Sequence, residues 1–343
     1  MKILKRLSTT LIVIVMLISM TSCTDKSWII KTDDTTVPIG IYIYYMSVAY
    51  SEAYSKVEDS STDVLKQEIE GQNASDWIEE QALLSCKKLV EVEKRFNDRG
   101  LSFSEEELST AESTTNSQWN KYGKAFEGFG ISKESFNRAS TLYSMRVSKL
   151  FDATYGEDGT QSVSDEELKD YFLNNYTNYK YFSKALTKQD ENGDIVEMSQ
   201  EEIQQVKNQF ENYASQLNSG KSFDSVYAQY KSDNGITEDD SVSQIENLNN
   251  DSSLSDTLKE VLKGLENNKA ASMEDDGNFY LLCKLNINSD LSRLDSEYGK
   301  YSVLVDMKYD DFIDDIKNSA ESLDVTVNQS AINKYKPSLF KKS

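Results

Sequence analysis

Apolar residues recur at three- and four-residue steps through much of the first half of the chain, the period that places them on one side of an α-helix. A helix predicted to begin near Gly40 has such an apolar face, formed by Tyr42, Tyr45, Met46, Ala49, Ala53 and Val57. Further helical patterns begin at Asp76-Trp77, at Ser102 or Ser104, at Ser132 and at Ser164. The first half is therefore predicted to be a series of helices, preceded by two short strands over 28–32 and 35–38.

Serine followed by acidic residues marks several of these helix starts. Ser102 or Ser104 precedes Glu105-Glu106-Glu107, and Ser164 precedes Asp165-Glu166-Glu167. A serine at the N-cap and a glutamate three residues later satisfy two exposed N–H groups, and acids there favour the helix dipole. The acids could instead be paired carboxylates for acid and base chemistry, but capping explains their positions directly. The helix after Glu105 is predicted to end near Tyr122-Gly123.

The spacing of the apolar residues changes in the second half of the chain. The segment 179–186 is strand-like, and Asn192-Gly193 predicts a hairpin. Helices are predicted over 199–217 and 223–230, followed by an acidic loop from Ser232 to about Ser253, a helix over 254–265 and two strands that end with 279–285. Helix resumes from Asp295 to Leu323. The fold class is therefore predicted as α+β, with a mainly helical domain interrupted by a small α+β module.

The first 22 residues have the layout of a secretory signal. Basic residues precede the apolar stretch 11–18, which is shorter than the roughly 20 residues of a membrane-spanning helix. Met20-Thr21-Ser22-Cys23 resembles the bacterial lipobox, although leucine is commoner at the place of Met20. The resemblance implies that Cys23 becomes the acylated N-terminus, at the extracytoplasmic face of a bacterial membrane. The alternative is an ordinary secreted protein cleaved nearby.

The net charge of the chain limits the kinds of molecule that it can bind. It has 58 acidic and 37 basic residues, a net charge of −21. Lys2, Lys5 and Arg6 would leave with the signal while no acidic residue would, which lowers the charge to −24. Such a chain repels nucleic acid and polyanionic substrates. Cationic or unfolded basic segments remain possible partners.

The chain contains no histidine, which excludes the usual Ser and Cys triads and most transition-metal sites. Cys86 and Cys283 lie in apolar runs and are predicted to be small buried side chains, although one disulfide between them is possible in an exported protein. The segment 190–194 has oxygens suited to calcium but lacks the spacing of an EF-hand loop, so it is interpreted as a solvated hairpin tip. No metal and no cofactor are expected.

Two stretches of the second-half module are similar to a known family. The first is the segment 217–233, LNSGKSFDSVYAQYKSD, and the second runs from the helix 258–265 through 268–272 to the strand 279–282. Together with the interrupted helical layout and the lipobox, they resemble the PrsA and SurA-type extracytoplasmic foldases. The resemblance implies a helical chaperone domain built around a parvulin-type prolyl isomerase module.

The domain boundaries follow from this resemblance. They are a cleaved signal at 1–22, the N-terminal part of a SurA-like chaperone domain at 23–177, a degenerate parvulin-like module at 178–288 and a completing C-terminal segment at 289–343.

The module departs from active parvulins at the positions of their catalytic residues. Active members have one His in the first strand and another in the last, where this chain has Tyr181 and Phe182 and then Phe279 and Tyr280. Their glycine-rich loop is replaced by Asp239–Gln244. Prolyl isomerisation needs no nucleophile, only a site that lowers a barrier of about 18–20 kcal/mol. No catalytic residue is expected, and residual isomerase activity stays an alternative.

The sequence thus predicts a membrane-anchored chaperone or foldase-like lipoprotein that binds unfolded or nascent exported polypeptides. Aromatic side chains give adaptable recognition, so Tyr42, Tyr45, Trp119 and Tyr122 are candidate client contacts, although each could instead belong to the core. The alternatives are a binding or adhesion lipoprotein that recognises one specific partner or ligand, and a residual peptidyl-prolyl isomerase.

Overall fold

The computed structural model describes residues 27–237, 242–250, 252 and 254–341. Cys23 and the predicted signal lie outside the described residues. Within the described ranges, no helix is both long and apolar enough to span a lipid bilayer. Helices predominate and are accompanied by small sheets, so the fold class is α+β, as predicted.

The helices, in chain order, are α1 (Ile39–Lys56), α2 (Ala74–Asp98), α3 (Glu105–Phe129), α4 (Lys133–Ala139), α5 (Thr141–Tyr155), α6 (Asp165–Asn175), α7 (Gln200–Asn218), α8 (Phe223–Asn234), α9 (Asp256–Gly264), α10 (Glu297–Glu321) and α11 (Gln329–Lys334). The strands are β1 (Trp28–Lys31), β2 (Thr36–Pro38), β3 (Glu68–Ile69), β4 (Gln72–Asn73), β5 (Tyr176–Ala185), β6 (Thr187–Gln189), β7 (Ile195–Glu197), β8 (Ser243–Asn247), β9 (Lys269–Asp275), β10 (Asn278–Leu285) and β11 (Thr326–Val327).

The described chain divides into two compact units. The first contains the residues up to Ser162 and those from Tyr309 onward, and the second runs from Val163 to Lys308. The second unit is wider than the module predicted at 178–288 because α6 and the start of α10 bond to each other and to its sheet. Tyr171 of α6 donates to the carbonyl oxygen of Asp306 at 3.0 Å, and Asn247 of β8 donates to the Asp306 carboxylate at 2.9 Å.

The core of the first unit lies between α1 and α2. Its largest side chains are almost fully buried and include Tyr42, Met46, Trp77, Ile78 and Leu89. Burial of each such side chain stabilises the folded state by about 1.5–3 kcal/mol. The predicted apolar face of α1 is therefore the wall of this core.

A small antiparallel sheet joins the two sequence-distant parts of the first unit. Its order is β11-β1-β2, and Ile30 pairs with Val327. The backbone N–H of Asn328 donates to the carbonyl of Ile29, and its side-chain amide donates to the carbonyl of Trp28, both at 2.9 Å. The C-terminal segment is thereby fixed to the first strand.

The second unit is built on an antiparallel sheet with the order β8-β5-β10-β9 among the described residues. Helices α7 and α8 cover one face, where Phe182, Phe210, Tyr230 and Phe279 are buried together. Helix α9 covers the other face, which is lined by leucines and Tyr179. Alternation along β5 and β10 directs successive side chains to opposite faces.

The predicted helix starts are confirmed. Ser104 and Ser164 each accept a hydrogen bond from the backbone of the third helical residue, and the glutamates at those positions bond back to the serine N–H. Ser199 forms the same reciprocal pair with Glu202. The acidic runs therefore serve as caps, and Ser104 rather than Ser102 is the N-cap of α3.

Helix boundaries differ from the prediction at the end of α3, around Ser140 and at the end of α8, which reaches Asn234 and not Tyr230. Helix α3 continues past Gly123 to Phe129. The indole of Trp119 lies over Gly123, where an added Cβ would be 2.6 Å from the indole nitrogen. Gly123 is therefore a site of close packing and not a helix end. The helix ends at its C-cap, Gly130, which has a φ of +88°. The single helix predicted after Ser132 is broken at Ser140 into α4 and α5.

Two polar segments of the sequence contain regular structure. The segment 59–75 includes a short 3-10 helix, Val64–Lys66, and the small hairpin β3–β4. The predicted acidic loop 232–253 contains β8, whose Ile245 pairs with Asn178 of β5. Backbone pairing overrides the polar composition of β8. Residues 238–241, 251 and 253 of that loop lie outside the described residues.

The cap assignment predicts a difference between two neighbouring serines. Substitution Ser104→Ala removes the acceptor of the Glu107 N–H and is expected to lower the free energy of unfolding by about 1 kcal/mol. Ser102→Ala, on an exposed side chain outside the cap, is the matched control. Equal destabilisation of the two variants in urea unfolding would contradict the assignment.

The closing sheet predicts a role for Asn328. Asn328→Ala removes the bond to Trp28 and the cap on the Ala331 N–H, so a loss of about 1–2 kcal/mol in unfolding free energy is expected. Asn333→Ala, on the exposed side of α11, should change it by less than about 0.5 kcal/mol. Thermal unfolding followed by circular dichroism measures both, and similar melting temperatures would refute the role.

Candidate functional site

The four aromatic residues predicted as client contacts have different environments. Tyr42 is fully buried, and Tyr45 donates its hydroxyl proton to the carbonyl of Ala139 at 2.9 Å from within the core. These two are core residues and offer no surface to a client. Trp119 is partly buried against the core, whereas Tyr122 is 47% exposed.

A different set of aromatic side chains forms an open groove in the first unit, with a volume of about 760 Å³. We call it the aromatic groove. Its apolar walls are Tyr50, Tyr54, Val64, Phe129 and Phe340. Its polar lining is Ser47, Ser51, Thr62, Asp63 and Lys341.

The rings of the groove contact one another in a continuous line. Tyr50 and Tyr54, one turn apart on α1, have ring centroids 5.6 Å apart, and Phe340 lies 5.7 Å from Tyr50. Phe129 completes the line, with its centroid 5.0 Å from that of Phe340. Edge-to-face and tilted ring pairs of this kind hold the wall in a defined shape. Tyr54 is 45% exposed, so the groove is open to solvent along that side.

Local sequence explains how each wall is placed. Phe129 is the last residue of α3, directly before the left-handed Gly130. Phe340 ends a 3-10 turn that begins at Pro337, and Val64 starts another that is capped by Asp63. Three helix or turn ends therefore meet the side of α1.

One ion pair fixes the polar end of the groove. The ammonium of Lys341 lies 2.8 Å from the carboxylate of Asp63. The hydrogen bond from Lys341 lowers the pKa of Asp63, which keeps that carboxyl ionised. Burial and the hydrogen bond with Tyr54 raise the pKa of Tyr50 to about 12, so its hydroxyl stays neutral. The groove thus offers apolar rings and hydroxyl groups, a combination suited to adaptable contact with peptide side chains.

A second concavity of the first unit, of about 820 Å³, is far more charged. Lys31, Glu93, Lys94 and Asp98 line it together with other acids, and Lys94 already pairs with Asp98. Such a surface is well solvated and gives little apolar contact. The aromatic groove is the stronger candidate for binding.

The positions that the sequence resemblance would assign to the parvulin catalytic strands lie on two faces of the sheet. Phe182 pairs with Leu281 on the α7–α8 face, where Phe182 and Phe279 are buried. The ring of Tyr230 lies 4.3 Å from that of Phe182 and stacks on it. This face is filled by aromatic packing, so Phe182 and Phe279 present no surface to a substrate.

Tyr181 and Tyr280 lie on the opposite face, where both are half-buried beside Met273 and Leu265. Burial, with the carboxylates of Asp275 and Asp276 nearby, raises the pKa of Tyr280. A neutral phenol there can donate or accept a hydrogen bond, but it does not supply the arrangement of histidines that the resemblance leads one to expect.

Other chemistry-bearing groups have structural roles. Asp190 accepts hydrogen bonds from the backbone of Asn192 and Asp194 at 2.8 and 2.9 Å, which shapes the tip of the β6–β7 hairpin. Among the described residues, no group of three or more His, Cys, Asp and Glu side chains could hold a metal ion. Cys86 and Cys283 are free, buried thiols, and burial raises the pKa of each.

No family profile and no curated protein matches the chain. Solved structures similar to it include the foldase PrsA of Lactococcus lactis, at 14% identity and a TM-score of 0.35, with 92% of this chain and 98% of that chain covered. PrsA of Streptococcus pneumoniae has 12% identity and a TM-score of 0.34, with 90% of this chain and 98% of that chain covered. The peptidylprolyl isomerase PrsA of Bacillus cereus has 14% identity and a TM-score of 0.30, with 79% of this chain and 95% of that chain covered. At these values the likenesses establish neither family nor function.

Sequence patterns did not indicate the aromatic groove. Its residues come from α1, α3, the 3-10 turn after Asp63 and the C-terminal turn, and among its aromatic residues only Tyr50 and Tyr54 are neighbours on one helix. One sequence feature could have indicated the groove: Tyr50 and Tyr54 lie on the same helix as Tyr42 and Tyr45 but outside its predicted apolar face.

Proposed function

We propose that the chain is a membrane-anchored, extracytoplasmic chaperone or foldase-like lipoprotein that holds unfolded or partly folded exported polypeptides without isomerising prolines. The observation that supports this most directly is the open aromatic groove of the first unit. The stretch 217–233, which resembles the foldase module, gives independent support. The anchor would be the acylated Cys23.

The groove would act by transient burial of apolar client side chains. Each large side chain removed from water gains about 1.5–3 kcal/mol, which corresponds to weak binding when only one or two are engaged. The rings of Tyr50, Tyr54 and Phe340 accept side chains of different shape because aromatic contact is tolerant of geometry. Weak, tolerant contact suits a protein that must release its clients for folding.

Charge would set the preference among clients. The groove itself is nearly balanced because Asp63 pairs with Lys341, while the whole chain is strongly acidic, at −21. Long-range attraction would therefore favour basic unfolded segments and weaken with added salt.

An adhesion or receptor lipoprotein is the second class of function that the sequence allows. A receptor for one small ligand is expected to enclose it. Tyr54 is almost half exposed on the open side of the groove, which favours contact with part of a longer chain.

The groove predicts a clear effect of one exposed ring. In an aggregation assay with a chemically unfolded basic client, Tyr54→Ser is expected to reduce the protection given by the mature chain at least threefold, because it removes an apolar wall. Tyr298→Ser is the matched control, since Tyr298 is more exposed, at 84%, and lies outside the groove. Ser51→Trp should also reduce protection by filling the groove.

Two results would count against the proposal. Either the wild-type mature chain fails to protect any unfolded client, or the Tyr54 and Tyr298 variants lose protection equally. Circular dichroism of each variant verifies that the fold is retained.

The absence of histidine and the packing around Phe182 predict no prolyl isomerisation. With a proline-containing test peptide, we expect isomerisation at the uncatalysed rate at equal or greater molar amounts of the chain. The check is a protease-free assay read by fluorescence. An acceleration that Tyr280→Ala abolishes would instead establish the residual isomerase alternative, while Ser296→Ala serves as a control away from the sheet.

A further inference from the structure

The four-stranded sheet of the second unit has two edges that differ in their protection. On the β8 edge, the guanidinium of Arg293 donates to the carbonyl of Ile245 at 2.7 Å. On the other edge, the only strand among the described residues that pairs with β9 is β10. An edge strand presents backbone N–H and C=O groups that can pair with another extended chain.

The side chain of Asn218 identifies which groups of β9 point outward. Its amide accepts from the N–H of Ala270 and donates to the carbonyl of Ala270, both at 2.9 Å. Ala270 therefore has both backbone groups directed away from β10. Since this direction alternates along a strand, the N–H and C=O groups of Ser272 and Glu274 also point outward. No hydrogen bond joins these groups to any part of the chain that the structure describes.

Asn218 thus shows that the edge accepts an amide partner in the geometry of an added strand. It occupies one end of the edge and leaves the adjacent positions, Ser272 and Glu274, open. The half-buried Met273 between them lies on the α9 face with Tyr280 and provides apolar contact beside the open edge.

The far end of the edge is acidic. Glu274, Asp275 and Asp276 are consecutive; among the described residues none of the three forms an ion pair, and the Asp275 carboxylate accepts a hydrogen bond from the Ser255 hydroxyl at 2.6 Å. They lead into a tight turn in which Asp276 and Gly277 both have positive φ, at 44° and 70°, which fixes the end of β9. A basic side chain of a partner would be attracted to this end, whereas a second copy of β9 would bring two sets of acids to one short edge.

We propose that β9 receives an extended, basic segment of an unfolded polypeptide as an added strand, paired with the backbones of Ser272 and Glu274. An apolar side chain of that segment contacts Met273 and Tyr280, and a Lys or Arg lies by the acidic turn. This inference rests on the proposed function and adds a second mode of client contact, in which backbone hydrogen bonding makes binding tolerant of sequence.

The test uses the mature chain with Cys23→Ser and a fluorescent peptide of alternating Val and Lys residues. Ser272→Pro removes the outward N–H without removing a bond to β10, a placement that edge strands tolerate. It is expected to weaken peptide binding at least tenfold, while Ser272→Ala, which keeps the N–H, changes it less than twofold. Hydrogen exchange of wild-type protein should slow at the amides of Ser272 and Glu274 when the peptide is added.

Peptide binding that Ser272→Pro leaves unchanged, or exchange at both amides that the peptide does not slow, overturns the proposal. Protection of those amides that rises with protein concentration in the absence of peptide overturns it in favour of a second copy of β9. If Ser272→Pro fails to fold, exchange on the wild-type chain alone decides. If the peptide does not bind to β9 but the chain still protects clients from aggregation through the aromatic groove, this inference fails and the proposed function stands. If the wild-type chain gives no client protection, the proposed function itself fails.

Discussion

The pairing of β1 with β11 is the interaction on which the first unit depends. The two strands belong to opposite ends of the sequence, and the hydrogen bond from Asn328 to Trp28 spans 300 residues. The entropy of closing such a long loop rises only with the logarithm of its length, so a few well-placed contacts can offset it. Ile29 and Ile30 bury their side chains completely beneath this sheet, which gives the closure an apolar component as well.

The aromatic groove depends on the same closure. Phe340 and Lys341 follow α11, which begins directly after Asn328, whereas Tyr50 and Tyr54 belong to the first helix. Contact between Phe340 and Tyr50 therefore requires the C-terminal segment to be fixed to the first strand. A second contact between the two parts of the first unit lies on α10, where Arg95 of α2 donates hydrogen bonds to Asp315 and Ser319. Stability and the proposed binding site are thus coupled through one chain closure.

Local signals in the sequence predicted much of the fold. The serine caps at positions 104 and 164 and the Asn192-Gly193 hairpin are confirmed because each depends on residues only a few positions apart. Gly123 misled the prediction, since its role is to admit the ring of Trp119 and not to end a helix. Strand β8 was missed because its pairing partner, β5, is more than 60 residues away and its own composition is polar.

The candidate site was less predictable than the fold. Tyr42 and Tyr45 have the residue type of a binding surface, but their position on the core side of α1 buries them. Whether an aromatic residue lies in the core or in a groove is decided by the elements packed around it, and the groove is lined by segments that the chain brings together from four places. The open edge of β9 likewise became visible only from the order of strands in the sheet.

The most direct measurement is site-specific photo-crosslinking from the groove. A benzophenone-bearing phenylalanine would be introduced at Tyr54 or, as a control of greater exposure, at Tyr298. If the groove binds unfolded chains, position 54 should crosslink a denatured client strongly and the same client in its folded form weakly, while position 298 gives little product with either. Equal yields from the two positions, or from folded and unfolded client at position 54, would contradict a client-binding groove.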